Sequence, residues 1–204
     1  MSRHFSMIRN FHLSDFVTLA NGGCGAWAIF LAMAHMGGAG ISTIYLACGA
    51  LVAALIFDTL DGRIARWRHQ ASALGRELDS LADVVSFSAA PAALAYAVGL
   101  RTALDQLCLV YFVACGISRL ARYNVTAEQL SADTGKVTCF EGTPITTSLL
   151  LVFLLTSLAA AGRTGAYLAG GAIEIGRLSL HWLALLFLLS GSLMVSKTLR
   201  IPKP

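Results

Sequence analysis

Six apolar runs follow one another along the chain, at about residues 16–36, 41–62, 77–100, 104–122, 145–161 and 180–196, with polar and basic stretches between them. Each is close to the roughly 17 to 25 residues that a helix needs to cross a hydrocarbon core, and their apolar residues are continuous where a transmembrane β-barrel would alternate. The pattern predicts an all-α integral membrane protein with six transmembrane helices, one membrane domain over residues 1–204 and both termini on the same side. The stretch 162–179 fits least well: its GAYLAGGAIEIG is apolar but rich in glycine, and it reads as an interfacial segment.

Composition narrows the class further. The chain is 56% hydrophobic and 13% charged, about half the roughly 25% charge of a soluble domain, so a water-soluble globular protein, a disordered chain and a coiled coil are excluded. Arg3 and Arg9 precede an apolar stretch of about 20 residues, longer than the roughly 7 to 15 of a signal-peptide core, so the first run is expected to stay as a membrane span. Of the 15 Lys and Arg, all but Arg101, Arg163 and Arg177 fall at the termini or at the second and fourth connections. By the positive-inside rule, those connections and both termini are expected to be cytoplasmic. The net charge of +4 comes from basic residues flanking apolar spans, which suits anionic membrane lipid and not nucleic acid. The five cysteines, mostly within apolar runs, read as reduced packing residues.

One segment breaks the apolar pattern. Nine of the chain's 26 charged residues lie between Asp58 and Asp83, where the second and third spans meet the cytoplasm. A carboxylate at the centre of a bilayer costs roughly 2.5 to 3.5 kcal/mol even on lenient insertion scales, and such residues usually face the bundle interior. Asp58, Asp61, Gly62 and Ala65 share one helical face by their spacing of i, i+3, i+4 and i+7, and Gly75, Asp79 and Asp83 share another. Two antiparallel helices joined by a short turn can bring the stripes together. Four converging carboxylates would repel one another unless cations neutralise them, and the all-oxygen donor set of Asp58, Asp61, Asp79 and Asp83 suits Mg²⁺ or Mn²⁺. Gly62, Ala65 and Gly75 leave helix backbone bare beside the acids, room for a bulky ligand such as a nucleotide. Two other readings stand beside this one: surface ion pairs with Arg63, Arg66 and Arg76, and a cation or proton pathway. The latter would call for acids near the bilayer midplane and for related halves.

The run DTLDGRIARWRHQASALGRELDSLAD, from Asp58 to Asp83, matches the pattern D-x-x-D-G-x-x-A-R, eight residues, G-x-x-x-D-x-x-x-D, and so resembles the CDP-alcohol phosphotransferase family. The resemblance implies that family's six-helix membrane fold, two divalent cations (Mg²⁺ or Mn²⁺), a homodimer, and cleavage of a CDP-linked donor such as CDP-diacylglycerol with release of CMP. It implies that Asp61, Gly62, Ala65, Arg66, Gly75 and Asp79 hold the CDP moiety and that Asp83 is the general base. Outside this run, FHLSDFVTLANG, ELDSLADVVSFSAAPA, CGISRLARYNVTAE, FEGTPITTS and the C-terminal VSK-x-x-x-IPKP resemble the integral membrane phosphatidylserine synthases, so L-serine is the acceptor the resemblance implies. Tyr123, where Phe is frequent, and Thr146, where a second Pro is common, depart from that pattern without touching the acids.

Acceptor recognition is then expected at Arg119, Arg122, Tyr123 and Glu141, with Asn124 as a further lining residue. Arg119 and Arg122 are i, i+3 neighbours at the end of the fourth span, where a guanidinium can pair with the serine carboxylate or a phosphate, or simply complement the helix terminus and anchor the span. Glu141 fits either the serine ammonium or a helix cap in FEGTP, where Pro144 suits a first turn. Asn21, in TLANGG, fits either contact with cytosine or a bond between helices. The five histidines show no partner at triad or ligand spacing.

Overall fold

The computed structural model describes residues 12–67, 73–133, 139–165, 168, 171–175, 178–196 and 200–202. Among them, α1 (Leu13–Met36) and α2 (Ser42–Trp67) form an antiparallel pair, followed by α3 (Ala73–Asp83), a π-helical turn (Val84–Ala89), α4 (Ala90–Val98) and α5 (Ala103–Asp133). A 3₁₀ turn (Ile145–Thr147) leads into α6 (Ser148–Ala160), and α7 (Trp182–Val195) completes the helices. Helix boundaries follow local chemistry. His12 and Asp15 close a capping box at the start of α1, with the His12 amide donating to the Asp15 carboxylate at 2.8 Å. Pro144 precedes the 3₁₀ turn, in keeping with the helix start read from FEGTP.

The π-helical turn has a cause in the sequence. Pro91, in the first turn of α4, has no N–H, and its ring conflicts with the carbonyl four residues earlier, that of Phe87. The backbone widens just before it, with the Ala90 N–H bonding to the Val85 carbonyl five residues back. This turn rotates the side chains beyond Asp83 relative to a plain α-helix.

Among the described residues, four helices are long and apolar enough to cross a membrane: Leu13–Met36, Ser42–Ile64, Leu74–Val98 and Ala103–Thr126. Among the described residues the last two apolar runs fold as shorter helices than the first four, Ile145–Ala160 and Trp182–Val195. The 14 residues of α7 rise about 21 Å, less than a hydrocarbon core of about 30 Å, and the first two residues of its apolar run, Leu180 and His181, belong to a strand.

Small residues set how closely the helices approach, as expected where lipid removes the hydrophobic drive between helices. A Cβ at Gly25 of α1 would lie 2.5 Å from Ser86 Oγ and 2.7 Å from Ser86 Cα, so α1 and the π-helical turn meet backbone to backbone. Gly22 lies opposite Ala82 with room for ordinary contact, a Cβ there standing 3.4 Å from Ala82 Cβ, while a Cβ at Gly191 of α7 would crowd Phe112 and Cys115 of α5 at 3.2 to 3.4 Å. Phe112 and Phe187 lock α5 to α7 edge to face at 5.2 Å. α1 thus packs on α2, α3 and the π-helical turn, while α5 bridges that turn to α7.

Two short antiparallel pairs join the helices. β1 (Cys139–Glu141) pairs with β4 (Arg200–Pro202), setting Glu141 opposite Arg200, and β2 (Ala172–Ile175) pairs with β3 (Leu178–His181). The second pair gives the stretch 162–179 a hairpin that its glycine content did not foretell. It is pinned from outside: the buried Asp105 carboxylate of α5 accepts from the His181 amide at 2.9 Å and stands 2.7 Å from His181 Nδ1. His181 therefore has a carboxylate partner that lies 76 residues away in sequence, beyond the reach of spacing arguments. Gly142, at φ +76°, lets the segment after β1 run against the Met194 carbonyl of α7, where a Cβ would have no room.

Candidate active site

The acid stripes of α2 and α3 meet as their spacing suggests. One carboxylate oxygen from each of Asp58, Asp61 and Asp79 lies within 4.8 Å of the other two. Asp83 is one helical turn further along α3, outside that trio but within electrostatic reach of all three. Asp61 and Asp83 are the most enclosed, at 6% and 8% exposure. Asp79 Oδ1 is buried with no hydrogen-bond partner among the described residues. An orphaned buried carboxylate oxygen beside two further carboxylates is a poor arrangement for stability alone, and an all-oxygen set fits a hard divalent ion.

α1 supplies the partners of the two enclosed acids. Thr18 Oγ1 donates to Asp61 Oδ2 at 2.7 Å, and Asn21 Nδ2 donates to Asp83 Oδ1 at 3.1 Å. These donors are i, i+3 on one helical face, so α1 touches both acid stripes at once. Thr18 was not among the residues singled out from sequence. Its signal is the T-x-x-N spacing in VTLAN, which carries no meaning until α1 is docked. Of the two roles open to Asn21, the structure places it between helices, on an acid.

The arginines of α5 divide. Arg122 Nη1 donates to the Val195 carbonyl at 3.3 Å, so it caps the C-terminal end of α7. Arg119 Nε is buried with no hydrogen-bond partner among the described residues, and the guanidinium lies within electrostatic reach of Asp83 and Tyr123. Tyr123 itself is exposed. Asn124 is engaged elsewhere: its Nδ2 donates to Ser80 Oγ at 3.0 Å and to Glu77 Oε1 at 3.4 Å, tying α5 to α3. Gly62 lies on α2 beside Asp61, and Gly75 on α3 one turn before Asp79. The side chains of Ala65, Arg66 and Glu141 lie outside the described residues; the backbone of the first two belongs to α2 and that of Glu141 to β1.

The acids sit towards the C-terminal end of α2 and on α3, at one end of the bundle, with Arg119 of α5 within electrostatic reach of Asp83. Carboxylates from two helices gathered at one end of such a bundle, with an arginine within electrostatic reach of them, suit a membrane enzyme acting on phosphate esters. The family model described as CDP-alcohol phosphatidyltransferase matches residues 11–194, and the chain belongs to that family.

Individual relatives narrow the comparison. The chain is 42% identical over 204 residues to the CDP-diacylglycerol--serine O-phosphatidyltransferase of Saccharomyces cerevisiae, a match covering 98% of this chain and 74% of that protein. It is 34% identical over 128 residues to the Bacillus subtilis protein of the same name, covering 62% of this chain and 68% of the relative. To the archaetidylserine synthase of Methanothermobacter thermautotrophicus it is 35% identical over 150 residues, covering 71% of this chain and 58% of that one.

Proposed function

We propose that this protein transfers the phosphatidyl group of CDP-diacylglycerol to the hydroxyl of L-serine, releasing CMP. The observation that carries the reading is the convergence of Asp58, Asp61 and Asp79 with Asp83 one turn beyond, in a chain whose relatives are named for this reaction. Asp58, Asp61 and Asp79, with Asp83 at the inner edge, would hold two divalent ions, Mg²⁺ or Mn²⁺. When bound, these supply positive charge that binds the donor diphosphate and stabilises the departing CMP.

The chain's own residues do the rest. Gly62 and Gly75, with Ala65 and Arg66, leave space and charge for the CDP moiety along α2 and α3. Asp83 takes the proton of the serine hydroxyl as its oxygen attacks the phosphatidyl phosphorus. The new P–O bond forms while the bond to CMP breaks, and CMP leaves with the electron pair. Arg119, whose Nε has no hydrogen-bond partner among the described residues, is the better placed of the two arginines to receive the serine carboxylate. Arg122, held on the α7 carbonyl, supports the wall behind it. Tyr123 and Glu141 complete the acceptor side of this reading.

The basic residues gathered at the acid end of the helices support a site facing the cytoplasm, with the donor's acyl chains leaving sideways into lipid. The family resemblance supports a homodimer. The deciding experiment measures CMP release from CDP-diacylglycerol by purified protein against serine, inositol, glycerol phosphate and choline. Serine should be preferred by at least tenfold. Preference for another alcohol would reassign the acceptor, and no release with any alcohol would remove the transferase reading.

A further inference from the structure

Asn21 is fully buried on α1 and is gripped at two points by the segment that carries Asp83. Its Nδ2 donates to Asp83 Oδ1 at 3.1 Å, and its backbone carbonyl accepts from Ser86 Oγ at 2.9 Å, one turn further along. The approach that makes both bonds possible is built from small residues, since a Cβ at Gly25 would fall 2.5 to 2.9 Å from Ser86 and one at Gly22 would already touch Ala82. The amide thus has little freedom to turn. The bond occupies one oxygen of the Asp83 carboxylate and fixes the plane of the group. The second oxygen keeps a constant direction.

The other end of the same amide is not satisfied. Asn21 Oδ1 is buried with no hydrogen-bond partner among the described residues. A residue kept only to fasten α1 to α3 would do better as an apolar side chain, because an orphaned buried acceptor costs roughly 1 to 3 kcal/mol. The cost is accounted for if the amide is retained for the direction it gives its neighbour.

We propose that Asn21 is a positioning residue for Asp83: its Nδ2–H holds Asp83 Oδ1, so that Oδ2 is presented to the hydroxyl of the incoming alcohol. Asn21 itself does not touch the reacting atoms. The proposal rests on the reading of Asp83 as the base.

The test is steady-state CMP release by the purified full-length protein with Mg²⁺ or Mn²⁺, using the acceptor that wild type prefers. Asn21→Ala removes the donor, and the isosteric Asn21→Asp replaces it with an acceptor while keeping the packing volume. Both should lower kcat by roughly 10- to 100-fold and leave KM for CDP-diacylglycerol and for the acceptor within about threefold. Placed on Asp83→Asn, either change should add no further loss to the residual rate, because its effect runs through the Asp83 carboxylate. A merely structural role would instead lower the unfolding temperature, raise both KM values and add its loss to that of Asp83→Asn, and that result overturns the proposal. A selective rise in KM for CDP-diacylglycerol with kcat kept overturns it too, because Asn21 would then be a donor contact. If Asn21→Ala does not fold, Asn21→Asp carries the same comparisons. Failure of the underlying reading shows separately: Asp83→Asn would keep near-normal turnover, and the proposal would fall with it whatever the Asn21 variants do.

Discussion

Thr18 on α1 and Asp61 on α2, 43 residues apart, are joined by a 2.7 Å hydrogen bond in a buried setting, with the hydroxyl donating to the carboxylate. The same hydroxyl stands 3.1 Å from the Ser14 carbonyl, but it has one proton, and the shorter contact to a charged acceptor takes it. The bond ties Asp61 to α1 beside the cluster it forms with Asp58 and Asp79.

Thr18→Val keeps the shape and removes the donor. Asp61 should then hold its ligand geometry less firmly, and the divalent-ion concentration for half-maximal activity should rise roughly 10- to 100-fold. A metal-activation curve checks this. An unshifted curve would mean that Asp61 is oriented without Thr18.

Activity should vanish in excess EDTA and return on adding Mg²⁺ or Mn²⁺. Full turnover in chelator, with no metal found by elemental analysis, would show that the carboxylates of Asp58, Asp61 and Asp79 act without an ion, and would favour the ion-pair reading of the stripe.

The two arginines of α5 should separate kinetically. Arg119→Ala should raise KM for serine by roughly 10- to 100-fold, the size of one lost charge-assisted hydrogen bond, and leave CDP-diacylglycerol KM nearly unchanged. Arg122→Ala should mainly lower the unfolding temperature, by the loss of about 1 kcal/mol at the end of α7, with serine KM close to wild type. Serine methyl ester, without the carboxylate charge, should be a poor acceptor. If Arg119→Ala instead weakens CDP-diacylglycerol with every acceptor, the guanidinium holds the diphosphate.

At the far end of α5 the Asp105 carboxylate, fully buried, accepts from the Thr102 amide at 3.1 Å and binds His181 twice. Asp105 precedes Arg119 by 14 residues, about 21 Å along the helix, so this contact stands apart from the acids. His181→Ala should lower stability by roughly 1 to 3 kcal/mol through the hairpin's attachment, while kcat of the folded enzyme and its metal requirement stay as in wild type. Thermal unfolding in detergent alongside CMP release measures both. A changed metal requirement would tie the hairpin to the site.

What the sequence by itself determined is local or compositional. Long apolar runs must form helices because lipid offers no partner to a backbone N–H or carbonyl, and the four described helices long and apolar enough to cross a membrane lie where the hydropathy puts them. The spacing of Asp58 with Asp61, and of Asp79 with Asp83, fixes which acids share a face, because helical periodicity depends on nothing outside the helix. Partner choice was different, and tertiary structure alone decided it. The sequence offered Arg119 and Arg122 as equals, left Asn21 between two roles, passed over Thr18 and found no partner for His181. Each of those outcomes depends on how far one helix is rotated and how closely it approaches another. Here that is set by Gly22 and Gly25 against α3 and the π-helical turn, by Gly191 against α5, and by the widening of the backbone before Pro91. A hydrogen bond forms or fails over a few tenths of an ångström, so bonds spanning 43 to 76 residues are written in the packing and not in any local pattern.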